Sequence, residues 1–345
     1  MVKKYDYNSN ILDAFRLFAT LQVFAGHVIT HFSMPNPPVQ IVYFIRGVPI
    51  LFALCGFLAA KSLEKHRTKE YMVRRAVRIL PAFWVCIIVN TLAILLAYDT
   101  KPSLREAVIY GITQFLGFNF YTGDWLRGYG VGTPNGVLWT IGVQIQFFLL
   151  APILHKLLRG KSLRTGTIVI AVFALISILC NYGQSFLPQI LFKLVGVTVI
   201  PYLYFLVLGM EIWYHRDTVI PVLSKCRWVL LVGYILWKFA EMHLNFPRVL
   251  DGVLYNTVTT VLLACVMFGF AFEHKWRVPR DYSYGFYLYH MVFVNLAIQM
   301  GFTSLEPVWK GALLVVTIGI LTLCSAWLSQ RVIENPAARL VEKEG

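Results

Sequence analysis

Arg16 and His27 stand eleven residues apart in an otherwise apolar stretch, LDAFRLFATLQVFAGHVIT, over residues 12–30. At about 100° per residue that spacing puts them roughly 20° apart on one helical face, and at 1.5 Å rise about 16 Å apart along it. A permanent cation and a group that titrates near neutrality therefore occupy two depths of a single face. Arginine grips a phosphate or carboxylate with a planar, bidentate fork. Histidine is suited to take a proton from an incoming hydroxyl. Asp13, three residues before Arg16, is placed to orient it. The plainer reading is an Asp13–Arg16 pair that begins a helix and a histidine that finds one hydrogen bond. Against it, ionisable groups inside an apolar span are costly and mark pathways or sites.

The elements that must position these residues follow from composition. The 345 residues are 58% hydrophobic, which gives more apolar stretches than one water-soluble core can bury. Runs of about 18–22 apolar residues recur along the whole chain, each long enough to cross a bilayer as a helix. The sequence therefore reads as an all-α polytopic membrane protein, a bundle of about ten transmembrane helices forming one domain over residues 1–345. The crossings are expected at residues 12–31, 40–60, 78–97, 137–158, 166–182, 191–213, 228–244, 253–272, 283–302 and 308–329. A further apolar run, 107–121, is short and bounded by Arg105/Glu106 and Gly123/Asp124. A full crossing there would put the basic segment from His155 on the wrong side, so it is expected to be re-entrant or interfacial. No cleavable signal is expected before the first run. Lys3 and Lys4 belong to a polar leader, Ser9 or Asn10 is a candidate helix cap, and Pro35, Pro37 and Pro38 mark a turn.

The net charge of +14 would fit a nucleic-acid partner if it formed one patch, but it is distributed over alternate loops, which excludes that reading. The densest segment is KSLEKHRTKEYMVRRAVR over residues 61–78. Others hold Lys156/Arg159/Lys161/Arg164, Arg216/Lys225/Arg227 and Lys275/Arg277/Arg280. The positive-inside rule makes these loops and both termini cytoplasmic, in an inner-membrane, multi-pass protein surrounded by lipid. The six cysteines have irregular spacing and no CxxC or Cys/His cluster, so they read as small core residues, with no metal site.

Under that topology Arg74, Arg75 and Arg78 stand at the cytoplasmic mouth of the third span, level with Arg16. They are either a topology signal with snorkelling side chains or, with Arg16, an anion site. A diphosphate held there by a ligand about as long as the Arg16–His27 spacing would bring the ligand's far end to His27. Coenzyme A, carrying a thioester at the end opposite its phosphates, has that shape. Three more segments fit a cavity. In LWTIGVQIQFF (138–148), Trp139, Gln144 and Gln146 line it or act as helix–helix glue. In YSYGFYLYHM (282–291), Tyr284, Tyr287 and His290 recur at three-residue steps, as packing or as cavity wall, with His290 in mid-span. In IENPAARL (from 333), Glu334 and Pro336 suit a helix stop. Lys238 and Glu241 are expected to form an internal salt bridge, and Glu211 has no evident role.

Taken in order, these segments resemble the acyltransferase-3 family of polytopic membrane enzymes that modify bacterial surface glycans. LDAFR with His27 is similar to the family's LDxLR and R-x10-H signature, GVPILFALCGFL to GVxxFFxLSGFL, and RRAVRILPAFW to RRxxRIxPxYW. LWTIGVQIQFFLLAPIL is similar to LWSLSVExQFYLLxPxL, YSYGFYLYH to SYSLYLxH, and IENPAARL to ExPxxRL. The resemblance covers nearly the whole chain. It implies a ten-helix membrane fold and transfer of an acyl group, usually acetyl from cytoplasmic acetyl-CoA, to a hydroxyl of an exported or lipid-linked glycan. It implies His27 as base or acyl carrier, Arg16, Arg75 and Arg78 as donor-binding residues, and Asp13 as the partner of Arg16. Two positions depart from the pattern: Cys55 replaces the Ser of SGFL, and Gly142, Val143 and Gln144 replace Ser-Val-Glu. The second departure removes a carboxylate that could assist proton transfer. A reading from another class is a transporter or flippase for an anionic glycolipid or metabolite, with the same arginines as its entry filter. Acceptor-dependent release of free CoA thiol separates the two.

Overall fold

The computed structural model describes Tyr7 and residues 11–34, 36–119, 121–273 and 280–342. Lys3, Lys4, Ser9, Asn10, Pro35, Lys275 and Arg277 lie outside the described residues. In chain order the helices are α1 (Leu12–His31), α2 (Val39–Val42), α3 (Gly47–Lys65), α4 (Thr68–Ala97), α5 (Leu104–Phe115), α6 (Trp139–Leu158), α7 (Leu163–Tyr182), α8 (Gln189–Gly196), α9 (Leu203–Tyr214), α10 (Arg216–His243), α11 (Thr257–Ala271), α12 (Ser283–Gln299), α13 (Val308–Ser329) and α14 (Asn335–Glu342). No strand forms among the described residues, which hold only two isolated β-bridges.

Among the described residues seven helices are long and apolar enough to cross a membrane, and an eighth span results if the pair bent by 52° around residues 197–199 counts as one. The protein is therefore a multi-pass, all-α membrane protein. The expected ten is reached only by adding α11, with fifteen residues, and α12, with seventeen. α5, with twelve residues, is about 18 Å long, short of a ~30 Å hydrocarbon core. Its Ser103 and Glu106 form a reciprocal capping box at its start.

Several expected boundaries move, for a common reason. Basic residues are good helix formers, so segments expected as loops continue the helices. α3 starts at Gly47 and runs through Lys61 and Glu64 to Lys65. α4 starts at Thr68, where His66 Nδ1 and Glu70 Oε1 lie 2.7 Å apart, so Arg74, Arg75 and Arg78 lie two to three turns inside the helix and not at its entrance. α10 absorbs Arg216, Lys225 and Arg227. At the C-terminal end Pro336 does not stop the chain's helix. A π-helical turn over Gln330–Glu334 leads directly into α14, where Pro336 is the second residue and needs no amide donor.

Two compact units share the chain, with boundaries inside α1, α4 and α6. The first contains Met1–Ala19, Arg46–Tyr71 and Val143–Arg280. In it α3 and α9 approach closely enough that a Cβ on Gly56 would lie 1.9 Å from the Leu206 carbonyl oxygen, and one on Gly209 2.0 Å from that of Ala53. Small residues bring helices into this contact in membranes, and ring pairs Phe52–Phe205 and Phe57–Trp213 flank it. The break between α8 and α9 is held by Gln146, which donates to Val197 O (3.0 Å) and accepts from Val199 N (3.0 Å).

The second unit contains Thr20–Ile45, Met72–Gly142 and Asp281–Gly345. α12 is its fixed element. Asn135 Nδ2 and Cys86 Sγ both donate to Leu288 O, at 2.9 and 3.3 Å. Asn295, with no exposed surface, donates to Thr133 O and Pro134 O and accepts from Val131 N. The C-terminal half of α1 is held at two further places. Gln22 Nε2 donates to Val42 O (2.9 Å), and Tyr43 OH donates to Gly26 O (3.1 Å). Beyond the helix, Ser33 bridges to Ser304, with Ser33 N donating to Thr303 O and Leu305 N to Ser33 O.

Candidate functional site

His27, in the second unit, stands among other histidines. On α1, one turn further on, His31 stacks on it. The ring centroids are 5.4 Å apart, the planes differ by 10°, and His27 Nδ1 lies 3.3 Å from His31 Nε2. From α12 the ring of His290 approaches to a 5.4 Å centroid distance. Three imidazoles of the second unit are thus gathered in one place, and they are not disposed as a metal-ligand set among the described residues.

His290 has a defined tautomer. Its Nδ1 meets Phe286 O at 3.2 Å. A carbonyl can only accept, so Nδ1 carries the proton and Nε2 presents a lone pair. That Nε2 is buried with no hydrogen-bond partner among the described residues, and the residue has no exposed surface. Phe24, Phe286 and Tyr287 surround the ring, and Tyr287 OH is held by Thr140 Oγ1 at 2.8 Å. Leaving a buried acceptor unmet costs about 1–3 kcal/mol. A hydroxyl or N–H brought to this spot would recover that energy, which is what a binding site for a donor group does.

The other expected residues are placed as follows. Arg16 Nη1 lies 3.4 Å from Asp13 Oδ1, both partly buried, in the first unit. Arg74 and Arg75 are half-buried and Arg78 is exposed, all on α4 in the second unit. Arg78 is within electrostatic reach of Glu334 and Tyr284. Glu334 accepts from Ser329 Oγ at 2.9 Å, and Tyr284 OH donates to Ile79 O at 2.9 Å. Glu334, expected only as part of a helix stop, is thus a carboxylate beside the arginine row. Trp139 begins α6 in the second unit. Gln144, half-buried, and Gln146, bound on both sides to backbone, lie in the first. The Lys238–Glu241 salt bridge forms at 3.0 Å. Glu211 is buried with neither oxygen hydrogen-bonded, and His215 Nε2 is 3.3 Å away.

Sequence reasoning missed His31. The signal was available, since residues i and i+4 stack on one helical face.

Comparison with known proteins gives a consistent result. A family model described as an acyltransferase domain matches residues 9–331. Nodulation protein 10 of Rhizobium leguminosarum bv. viciae is 28% identical, over 96% of this chain and 94% of that protein. Peptidoglycan O-acetyltransferase OatA of Listeria monocytogenes is 22% identical, over 94% of this chain and 55% of that protein. A putative peptidoglycan O-acetyltransferase, YrhL of Bacillus subtilis, is 25% identical, over 94% and 54%. The chain thus spans nearly all of the first relative and about half the length of the other two. No solved structure matches it.

Proposed function

The chain belongs to the acyltransferase-3 family, and from that premise we propose that this multi-pass membrane acyltransferase is an O-acetyltransferase that uses acetyl-CoA. The donor is taken from the cytoplasmic side of the inner membrane. The acceptor is a hydroxyl of an exported or lipid-linked cell-surface glycan. The names of two relatives, both peptidoglycan O-acetyltransferases, support a glycan acceptor.

The observation that carries the reading is the gathering of His27 and His31, on the helix that also bears Arg16, with the buried His290 of α12. On sequence grounds the candidates for holding the donor phosphates are Arg74, Arg75 and Arg78 on α4, and Arg16 on α1 with Asp13 orienting it. His27 takes the proton of the acceptor hydroxyl as its oxygen attacks the thioester carbon, or carries the acyl group in transit. His290, Tyr287, Tyr284 and Trp139 wall the reaction space, with Gln144 and Gln146 further along α6.

The test is release of CoA thiol by the purified protein in nanodiscs, with acetyl-CoA and a glycan extract from its host. Wild type is expected to release thiol only when acceptor is present. His27→Ala is expected to lose about 10²–10⁴-fold in rate, the usual contribution of general base catalysis, and Arg16→Ala to weaken donor binding. Thiol release that is unchanged in His27→Ala would overturn the reading.

A further inference from the structure

His27 has two ring nitrogens, and only one can serve the reaction at a time. Nδ1 faces His31 Nε2 at 3.3 Å. In a contact between two neutral imidazoles one nitrogen must donate and the other accept. If His27 Nδ1 donates, its Nε2 is bare and basic. If His31 donates instead, His27 Nε2 carries a proton and cannot take another.

We propose that His31 is a positioning residue for the transfer: it accepts from Nδ1–H of His27, fixes the tautomer with a basic Nε2, and takes the surplus proton when His27 is protonated. The proposal rests on the O-acetyltransferase reading and deepens it. In the transfer step the hydroxyl proton goes to His27 Nε2 and the bond from oxygen to the thioester carbon forms. The carbon–sulfur bond breaks, leaving its electron pair on sulfur. While His27 is charged its Nδ1 proton is shared with His31, and it returns as the CoA thiolate takes the proton from His27 Nε2, so the products are the ester and CoA thiol and both imidazoles recover their starting tautomers.

Three features fit this role. The stacked geometry keeps the two nitrogens in register along the helix. His31 is the last residue of α1 and half-buried, so unlike His290 it keeps exposed surface. The chain directly after it is anchored by the Ser33–Ser304 bridge, which fixes the end of the helix. The titratable groups facing His27 are His31 from α1, and His290 with its neighbour Tyr287 from α12. His290 does not take the place of His31, because His27 Nδ1 is directed to His31 Nε2 and His290 Nε2 makes no hydrogen bond among the described residues.

The experiment has two arms. In the first, the histidine tautomers of the full-length, ¹⁵N-histidine-labelled protein in nanodiscs are read by NMR, without substrate. His27 is expected as the Nδ1-protonated form in wild type and as a mixture in His31→Ala. His27 protonated on Nε2 in wild type would overturn the proposal, whether or not the protein transfers acetyl groups. In the second arm, kcat and KM are compared for wild type, His31→Ala and His31→Gln across pH. His31→Ala is expected to lower kcat on the order of 10²-fold with KM for acetyl-CoA within twofold. His31→Gln, whose Oε1 can accept from Nδ1–H but cannot take the proton, is expected to restore about a tenth of wild-type kcat and to flatten the acid limb of the pH profile. Equal kcat in all three would overturn the proposal, as would a loss seen only in KM. Absence of acetyl transfer in wild type, together with the expected tautomers, would count against the acetyl-CoA reading and leave the positioning role supported by the first arm.

Discussion

The α3–α9 contact allows a stability change to be worked from distances alone. Gly56→Ala places a methyl group 1.9 Å from Leu206 O, 2.8 Å from Leu206 C and 3.2 Å from its Cα. All three are backbone atoms in the middle of a helix, so no side chain can swing aside. Relief requires the helices to part until the 1.9 Å approach reaches ordinary 3.4 Å contact. That separation opens the neighbouring stack of Phe52 on Phe205 and the edge contact of Phe57 on Trp213. A gap of 0.5–1 Å already forfeits a quarter to a half of each atomic contact. Overpacking of this kind costs about 1–3 kcal/mol, and a backbone-to-backbone clash belongs at the upper end, about 3 kcal/mol. For a unit of this size that is a fall of roughly 6–12 °C in Tm. Gly233→Ala in α10 is the control, because its Cβ meets nothing within 4 Å. Replacing a mid-helix glycine there should raise stability by about 0.5–1 kcal/mol. The assay is thermal loss of the monodisperse peak in detergent, by fluorescence-detected size exclusion. A Gly56→Ala protein melting within 2 °C of wild type, or below the control by no more than the helix-propensity gain, would refute the close approach.

Two further outcomes test other parts of the molecule. Gln146→Leu keeps the volume of the side chain but leaves Val197 O and Val199 N without their partner, so it should cost about 1–3 kcal/mol. It should also raise amide exchange at residues 197–199, and unchanged exchange there would show that the bend does not depend on this amide. Glu106 at the start of α5 has its carboxyl pulled below the usual 4.5 by hydrogen bonds from the Ser103 side chain and backbone. A lowered carboxyl pKa contributes stability that is present above the ordinary value and lost as pH falls through the lowered one. Amide protection at residues 103 and 106 should therefore hold from neutrality down to 4.5 and disappear only below it, while in Ser103→Ala the loss at residue 103 should begin nearer 4.5. A Glu106 carboxyl resonance titrating at or above 4.5 in wild type would contradict the cap.

Residues that could do chemistry were legible because their cost inside an apolar helix makes them stand out. Arg16, His27, His290 and the Lys238–Glu241 pair needed only spacing and hydropathy. The residues that hold those groups in place were not legible, because their partners are backbone atoms with no sequence signature. Nothing in Asn295, Asn135 or Gln146 announces that each satisfies main-chain groups at a loop or break. Basic runs misled about where helices end, because lysine and arginine favour helix wherever their heads reach water.

The two departures from the family pattern separate on the same grounds. A Cβ at Gly142 would lie 2.4 Å from Gly117 O, and Gly117 has φ +84°, the left-handed region that favours glycine. A serine has no room at residue 142 in this chain, so that change is explained by the close passage of the segment after α5. Cys55 is buried in α3 directly before Gly56, where α9 approaches most closely. Serine is as small, so nothing in the structure explains the change from Ser to Cys at residue 55, whereas Gly142 is explained by packing alone. The one change that alters available chemistry is the amide at Gln144, which cannot take up a proton. On the mechanism proposed above, no carboxylate stands at residue 144 to assist His27, and His31, 3.3 Å from His27 at the end of the same helix, is the group we assign to that part.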